Sequence, residues 1–124
     1  MKRVLILLVL IFFSWSISKG MENNAEKEIL HLFGYLENSN CEFNRNGSWY
    51  SPYEAAKHLA RKYRWLVNKG LINSAEQFIE RAASRSSFSG ESYLVRCGNS
   101  SPIKSSDWFT DELNNFRETY NSTK

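Results

Sequence analysis

The chain has 124 residues, 42% hydrophobic and 15% aromatic, with 16 basic and 13 acidic side chains. That length suits one ordinary domain and excludes two of ordinary size. The formal charge of +3 rests on the N-terminus: without Lys2 and Arg3 it is 14 basic against 13 acidic, and without Lys19 as well, 13 against 13. The composition is therefore no argument for nucleic-acid binding.

Residues 1–20 read as a secretory signal. Lys2 and Arg3 are followed by the unbroken apolar run VLILLVLIFF, then by SWSISKG with small residues spaced for a peptidase. The run is short of the roughly 20 apolar residues that a spanning helix needs. Cleavage leaves a single domain over 21–120 and a frayed tail over 121–124; an uncleaved inner-membrane anchor is the alternative.

The first helix is predicted over about 25–37. Ala25, Ile29, Leu32, Phe33 and Leu36 share a face, and Asn24 can cap the start. CEFNRNGSWY follows, and Asn46-Gly47 is a strong hairpin signal, because a type I′ turn needs positive φ at both central residues. The second helix opens on Ser51, Pro52 and Glu54, a capping box with proline at the first helical position. Ala55, Ala56, Leu59, Tyr63 and Leu66 make its buried stripe, and Gly70 marks its end. The third helix starts at Asn73 or Ser74, with Glu76 and Gln77 placed for reciprocal capping. It buries Ala75, Phe78, Ile79 and Ala82, and Ser86 continues that inward stripe. The fourth runs over about 107–119 with Phe109, Leu113, Phe116 and Tyr120 on one stripe.

GESYLVRC alternates like a half-buried strand, with Tyr93, Val95 and Cys97 on one face. Cys41, Phe43 and Arg45 share a face as well. An exported chain with one isolated cysteine pair is expected to form a disulfide, here Cys41–Cys97. Placing those cysteines opposite each other in an antiparallel pair sets Phe43 against Val95 and Arg45 against Tyr93. The expected class is α+β: about four helices on a small antiparallel sheet of two or three short strands, with one disulfide.

Candidate chemistry gathers on the second helix. Glu54, His58 and Lys62 follow at i, i+4 and i+8 along the edge of the apolar stripe, while Lys57, Arg61 and Arg64 lie on the outer side. One reading is an acid–base or ligand site, in which Glu54 orients His58 and Arg45 or Lys62 holds an anion. The plainer one is a polar ridge hydrogen-bonded to the sheet. Ser84, Ser86, Ser87 and Ser89 form a hydroxyl-rich stretch before Gly90, able to cradle a small polar group or simply to close a loop. Two histidines far apart and a paired cysteine set leave no metal site, and no cofactor is implied. The Lys57/Arg61/Arg64 face is expected to be solvated, though it has the charge to touch anionic lipid, glycan or an acidic partner.

The stretches CEFNRNGSWYSPYEAAKHLARKY, INSAEQFIERAASRSSFSGESYLVRC and SDWFTDELNNFR together resemble the YfeK-like family of small exported bacterial proteins, a domain of unknown function. The positions that match its pattern are Arg45, Asn46, Gly47, Glu54, Ala55, His58, Leu59, Lys62, Ser84, Ser87 and Gly90. The resemblance implies a periplasmic location and carries no catalytic role. Separately, Ser89-Gly90-Glu91-Ser92-Tyr93 is similar to the Ser-Gly-x-x-Tyr loop of periplasmic lysozyme inhibitors, which look all-β.

The leading expectation is a non-enzymatic binding domain, with Arg45, Asn46, Glu54, His58, Lys62, Ser84, Ser86, Ser87 and Ser89 as ligand site or polar network. Its partner would be a protein, glycan or small ligand, without stable membrane insertion after cleavage. The alternative is a small hydrolase using Glu54, His58 and the serine loop.

Overall fold

A computed structural model describes residues 23–123. The expected signal segment and its expected cleavage site lie outside the described residues.

The hydrophobic patterns become four helices, and four strands form one antiparallel sheet. In chain order they are α1 (Asn23–Glu37), β1 (Cys41–Arg45), β2 (Ser48–Tyr50), α2 (Pro52–Asn68), α3 (Ala75–Arg81), β3 (Leu94–Cys97), β4 (Ile103–Lys104) and α4 (Ser105–Ser122). The strand order is β2-β1-β3-β4. The fold is α+β, with a disulfide between Cys41 and Cys97.

The hairpin forms where positive φ is cheapest. Asn46 and Gly47 adopt φ 51° and 85°, the turn that matches strand twist. The backbone N–H of Gly47 also donates to Asn44 Oδ1 at 3.2 Å. One residue after β2, Ser51 Oγ accepts from the Glu54 N–H at 3.2 Å and starts α2. Gly70, at φ 70°, ends the turn after it, with Leu71 N–H returning to the Leu66 carbonyl at 3.0 Å. At α3, Ser74 Oγ accepts from Gln77 N–H and Gln77 Oε1 accepts from Asn73 N–H, a reciprocal cap.

The register between β1 and β3 is the expected one. Cys41 faces Cys97, Phe43 faces Val95, and the ladder closes at Asn44 opposite Leu94. Cys41, Phe43 and Val95 turn to the helices and are buried. Glu42 and Arg96 sit on the opposite face as an ion pair, with the Arg96 guanidinium 3.8 Å over the Trp49 ring. Phe78, fully buried, stands at the centre of the core among Phe33, Tyr63 and Phe109.

Several boundaries differ from the sequence reading. α1 begins at Asn23, so Asn24 lies inside the helix instead of capping it. A fourth strand, only two residues long and exposed, carries no alternation by which a sequence would reveal it. α4 runs from Ser105 to Ser122, into residues assigned above to the tail. Its buried side includes Trp108, which packs edge-on against Phe43 and Phe109. α3 stops at Arg81, so Ser86 is buried by a loop and not by a helix stripe.

Candidate functional site

Strand alternation brings Arg45 to the same face as Cys41 and Phe43, at the end where the sheet passes the edge of α2. One helical turn apart on that edge stand His58 and Lys62. An Arg45 guanidinium nitrogen donates to His58 Nδ1 at 2.7 Å. Lys62 Nζ donates to the Arg85 carbonyl at 2.7 Å and to the Tyr93 hydroxyl at 3.2 Å. The ammonium also lies 5.0 Å from the centroid of the Tyr93 ring.

The serine segment closes the other wall. Arg85 and Ser92 pair as an isolated bridge, and Ser86 N–H donates to the Glu91 carbonyl at 2.9 Å. Ser86 Oγ is buried and accepts from the N–H groups of Phe88 and Ser89. Gly90 takes φ 75° and its N–H returns to the Ser86 carbonyl. Ser89 Oγ donates to Asn46 Oδ1 at 2.5 Å, fastening this loop to the hairpin turn.

Together these segments frame an open cleft of about 650 Å³. Arg45, Arg61 and Lys62 supply its charge; Trp65, Phe88 and Tyr93 supply its aromatic surface. No carboxylate lines it. Two recesses continue it: one past His58 to Tyr50, Glu54 and Lys57, the other past Lys62 to Leu71, Glu80, Arg81 and Arg85.

Burial and that imbalance together set the electrostatics. His58 is lowered from 6.5 to about 4, first by desolvation and then by the positive charges of Arg45, Arg61 and Lys62. Lys62 is lowered to about 8, again by desolvation first, then by Arg45 and Arg85. At neutral pH His58 is uncharged and accepts the Arg45 bond, while Lys62 is mostly protonated.

The cleft gathers Arg45, Asn46, His58, Lys62, Ser86 and Ser87 from the sequence candidates. It leaves out Ser84, whose hydroxyl donates to the Ile79 carbonyl at 2.6 Å and which lines a separate recess with Glu76 and Thr110. Glu54 is exposed and does not orient His58. Nδ1 is engaged instead by Arg45, because the hairpin returns the guanidinium to that atom. Ser89 ties loop to turn. Arg61 is exposed, as expected of the solvated face, and also lines the cleft; Tyr93 had been singled out only in the Ser-Gly-x-x-Tyr stretch, and Trp65 and Phe88 were not among the candidates. One sequence signal pointed there: Trp65 falls one turn after Arg61 and Lys62.

The chain belongs to the DUF5329 family. The model of this family of unknown function matches residues 23–117 and so takes in the whole cleft. No curated protein and no solved structure matches the chain.

The chemistry open to this DUF5329 domain is limited by the same geometry. A general base works best with a pKa near the working pH and an acceptor atom aimed at the nucleophile. His58 has its Nδ1 engaged by a guanidinium and a pKa near 4. Ser86 Oγ is turned to backbone N–H groups. Tyr93 is half-buried with its hydroxyl held by Lys62. Among the described residues no group of three His, Cys, Asp or Glu side chains is placed to hold a metal ion, and no helix is long and apolar enough to cross a membrane.

Proposed function

We propose that this DUF5329 domain is a non-enzymatic, exported binding protein whose cleft takes an anionic group. The observation that carries this is the kind of partner each cation has. Outside the cleft, two arginines meet carboxylates: Arg96 pairs with Glu42, and Arg117 with Glu28 and Glu76. In the cleft, Arg45 donates to a neutral imidazole and Lys62 to a carbonyl and a phenol. Those bonds satisfy hydrogen-bond donors and leave the charge uncompensated. Desolvation first, and then the like charges held together, lower the pKa values of His58 and Lys62; a bound anion would offset the repulsive part.

Export is supported by the signal-like N-terminus, by the disulfide, which persists in oxidising compartments, and by the resemblance to the YfeK-like exported proteins, which favours the periplasm. The test is thermal melting in inorganic phosphate against chloride at matched ionic strength. Phosphate is expected to raise Tm in the wild type and to have a much smaller effect in Arg45→Gln and Arg61→Gln. An equal response to chloride, or an undiminished response in both variants, refutes the anion site. Because bound anion raises the pKa of Lys62, the phosphate effect is expected to weaken as pH rises through about 8.

A further inference from the structure

The lip of the cleft carries a side chain that anion binding alone does not explain. Phe88 is 96% exposed, the most exposed large apolar residue described. Its loop is not slack: Ser86 Oγ holds the N–H groups of residues 88 and 89, and Gly90 N–H closes the turn on Ser86. A braced turn thus holds a phenyl ring in water, away from the core. Trp65, 59% exposed, lines the same cleft, and Leu71, 40% exposed, lines the recess beside it. Around them stand Arg45, Arg61, Lys62 and Arg85, with Glu80 as the recess's carboxylate.

We propose that this corner docks peripherally on an anionic phospholipid bilayer. Phe88 enters the interface as a wedge, with Trp65 and Leu71 at headgroup level, and the cleft cations bind the lipid phosphates. The reading rests on the anion site proposed above and adds its source. Charge complementarity favours a lipid occupant: aromatic rings beside clustered cations match a surface that is apolar below and anionic above. A free phosphate has no use for Phe88.

Flotation with vesicles tests it. The full exported protein is mixed with vesicles of phosphatidylcholine alone, or of phosphatidylcholine with about one quarter phosphatidylglycerol. Cofloating is expected only with phosphatidylglycerol, falling when salt rises from about 0.1 M to about 1 M and the Debye length shrinks from roughly 10 to 3 Å. Phe88→Ser is expected to keep the wild-type Tm, since the ring touches no core, and to lose vesicle affinity by about tenfold or more. Arg61→Gln is expected to lose roughly fivefold. Equal binding to neutral vesicles, no binding to either, or unchanged affinity in Phe88→Ser overturns the proposal. If phosphate still raises Tm while vesicles do not bind, the lipid docking fails and the anion site stands; if neither responds, both fail.

Discussion

At the scale of single residues, His58 is held uncharged at neutral pH by burial and by the cations around it, and it accepts from Arg45 at Nδ1. Its i, i+4, i+8 spacing with Glu54 and Lys62 correctly predicted a common helix edge. One reading gave His58 the carboxylate of Glu54 as partner; the plainer one, a polar ridge hydrogen-bonded to the sheet, is the one that the Arg45 bond matches. The atom that reaches Nδ1 belongs to Arg45, thirteen residues earlier and on a strand. Only the turn geometry of Asn46-Gly47 could have indicated that approach, and the turn fixes a register without saying which edge of α2 receives it. The consequence is measurable. A histidine whose folded pKa lies below its unfolded value binds fewer protons when folded, so stability is lost as pH falls from 6.5 towards 4. Because His58 is only partly buried, solvent screening reduces the effect to roughly 1 kcal/mol between about pH 7 and pH 5. Urea unfolding at those two pH values is expected to show that extra loss in the wild type and not in His58→Gln, whose amide oxygen can still accept from Arg45. Parallel losses in both proteins would remove His58 as the titrating group.

At the scale of elements, legibility followed local chemistry. Ser51-Pro52, Ser74 with Gln77, and Asn46-Gly47 each specify backbone within four residues, and each forms as the sequence indicates. Where a boundary depends on tertiary support, the sequence is silent. β4 exists because Ile103 and Lys104 lie beside β3, and α4 starts at Ser105 with no side-chain cap. The 84–93 loop was legible as a serine-rich bend. Its return to the hairpin through Ser89 and Asn46 was not, since those residues are 43 positions apart. Two glycines with equal space and opposite backbones test the local part. A Cβ at Gly34 or at Gly47 would meet nothing within 4 Å. Gly34 lies inside α1, so Gly34→Ala is expected to stabilise by about 0.5–1 kcal/mol. Gly47 sits at φ 85°, so Gly47→Ala is expected to destabilise by about 1 kcal/mol or more. Chemical denaturation reads both, and a destabilising Gly34→Ala or a neutral Gly47→Ala would contradict the backbone account.

At the scale of the molecule, the α+β class was legible because helix periodicity and strand alternation occupy separate stretches, and the cysteine pair set the β1–β3 register. The cleft was legible in part: Arg45, Asn46, His58, Lys62, Ser86 and Ser87 were candidates, but its aromatic wall of Trp65, Phe88 and Tyr93 comes together only in the assembled fold. The disulfide stands at the far end of the ladder from Arg45, four residues along β1, about 13 Å at strand rise. It therefore stabilises the sheet without touching the cleft. Cys41 and Cys97 are separated by 56 positions, and a loop of that size gives roughly 4 kcal/mol in the chain-entropy model. For a domain near 100 residues that corresponds to about 15 °C or more in Tm. Mass spectrometry of the protein purified without reductant is expected to find both thiols blocked. The double variant Cys41→Ala/Cys97→Ala is expected to melt lower by that margin, yet to keep the Arg45-dependent phosphate shift below its new Tm. Free thiols, or an unchanged Tm in the double variant, would show that the fold does not depend on the bond. A lost phosphate shift in a variant that still folds would show that the bond also shapes the cleft.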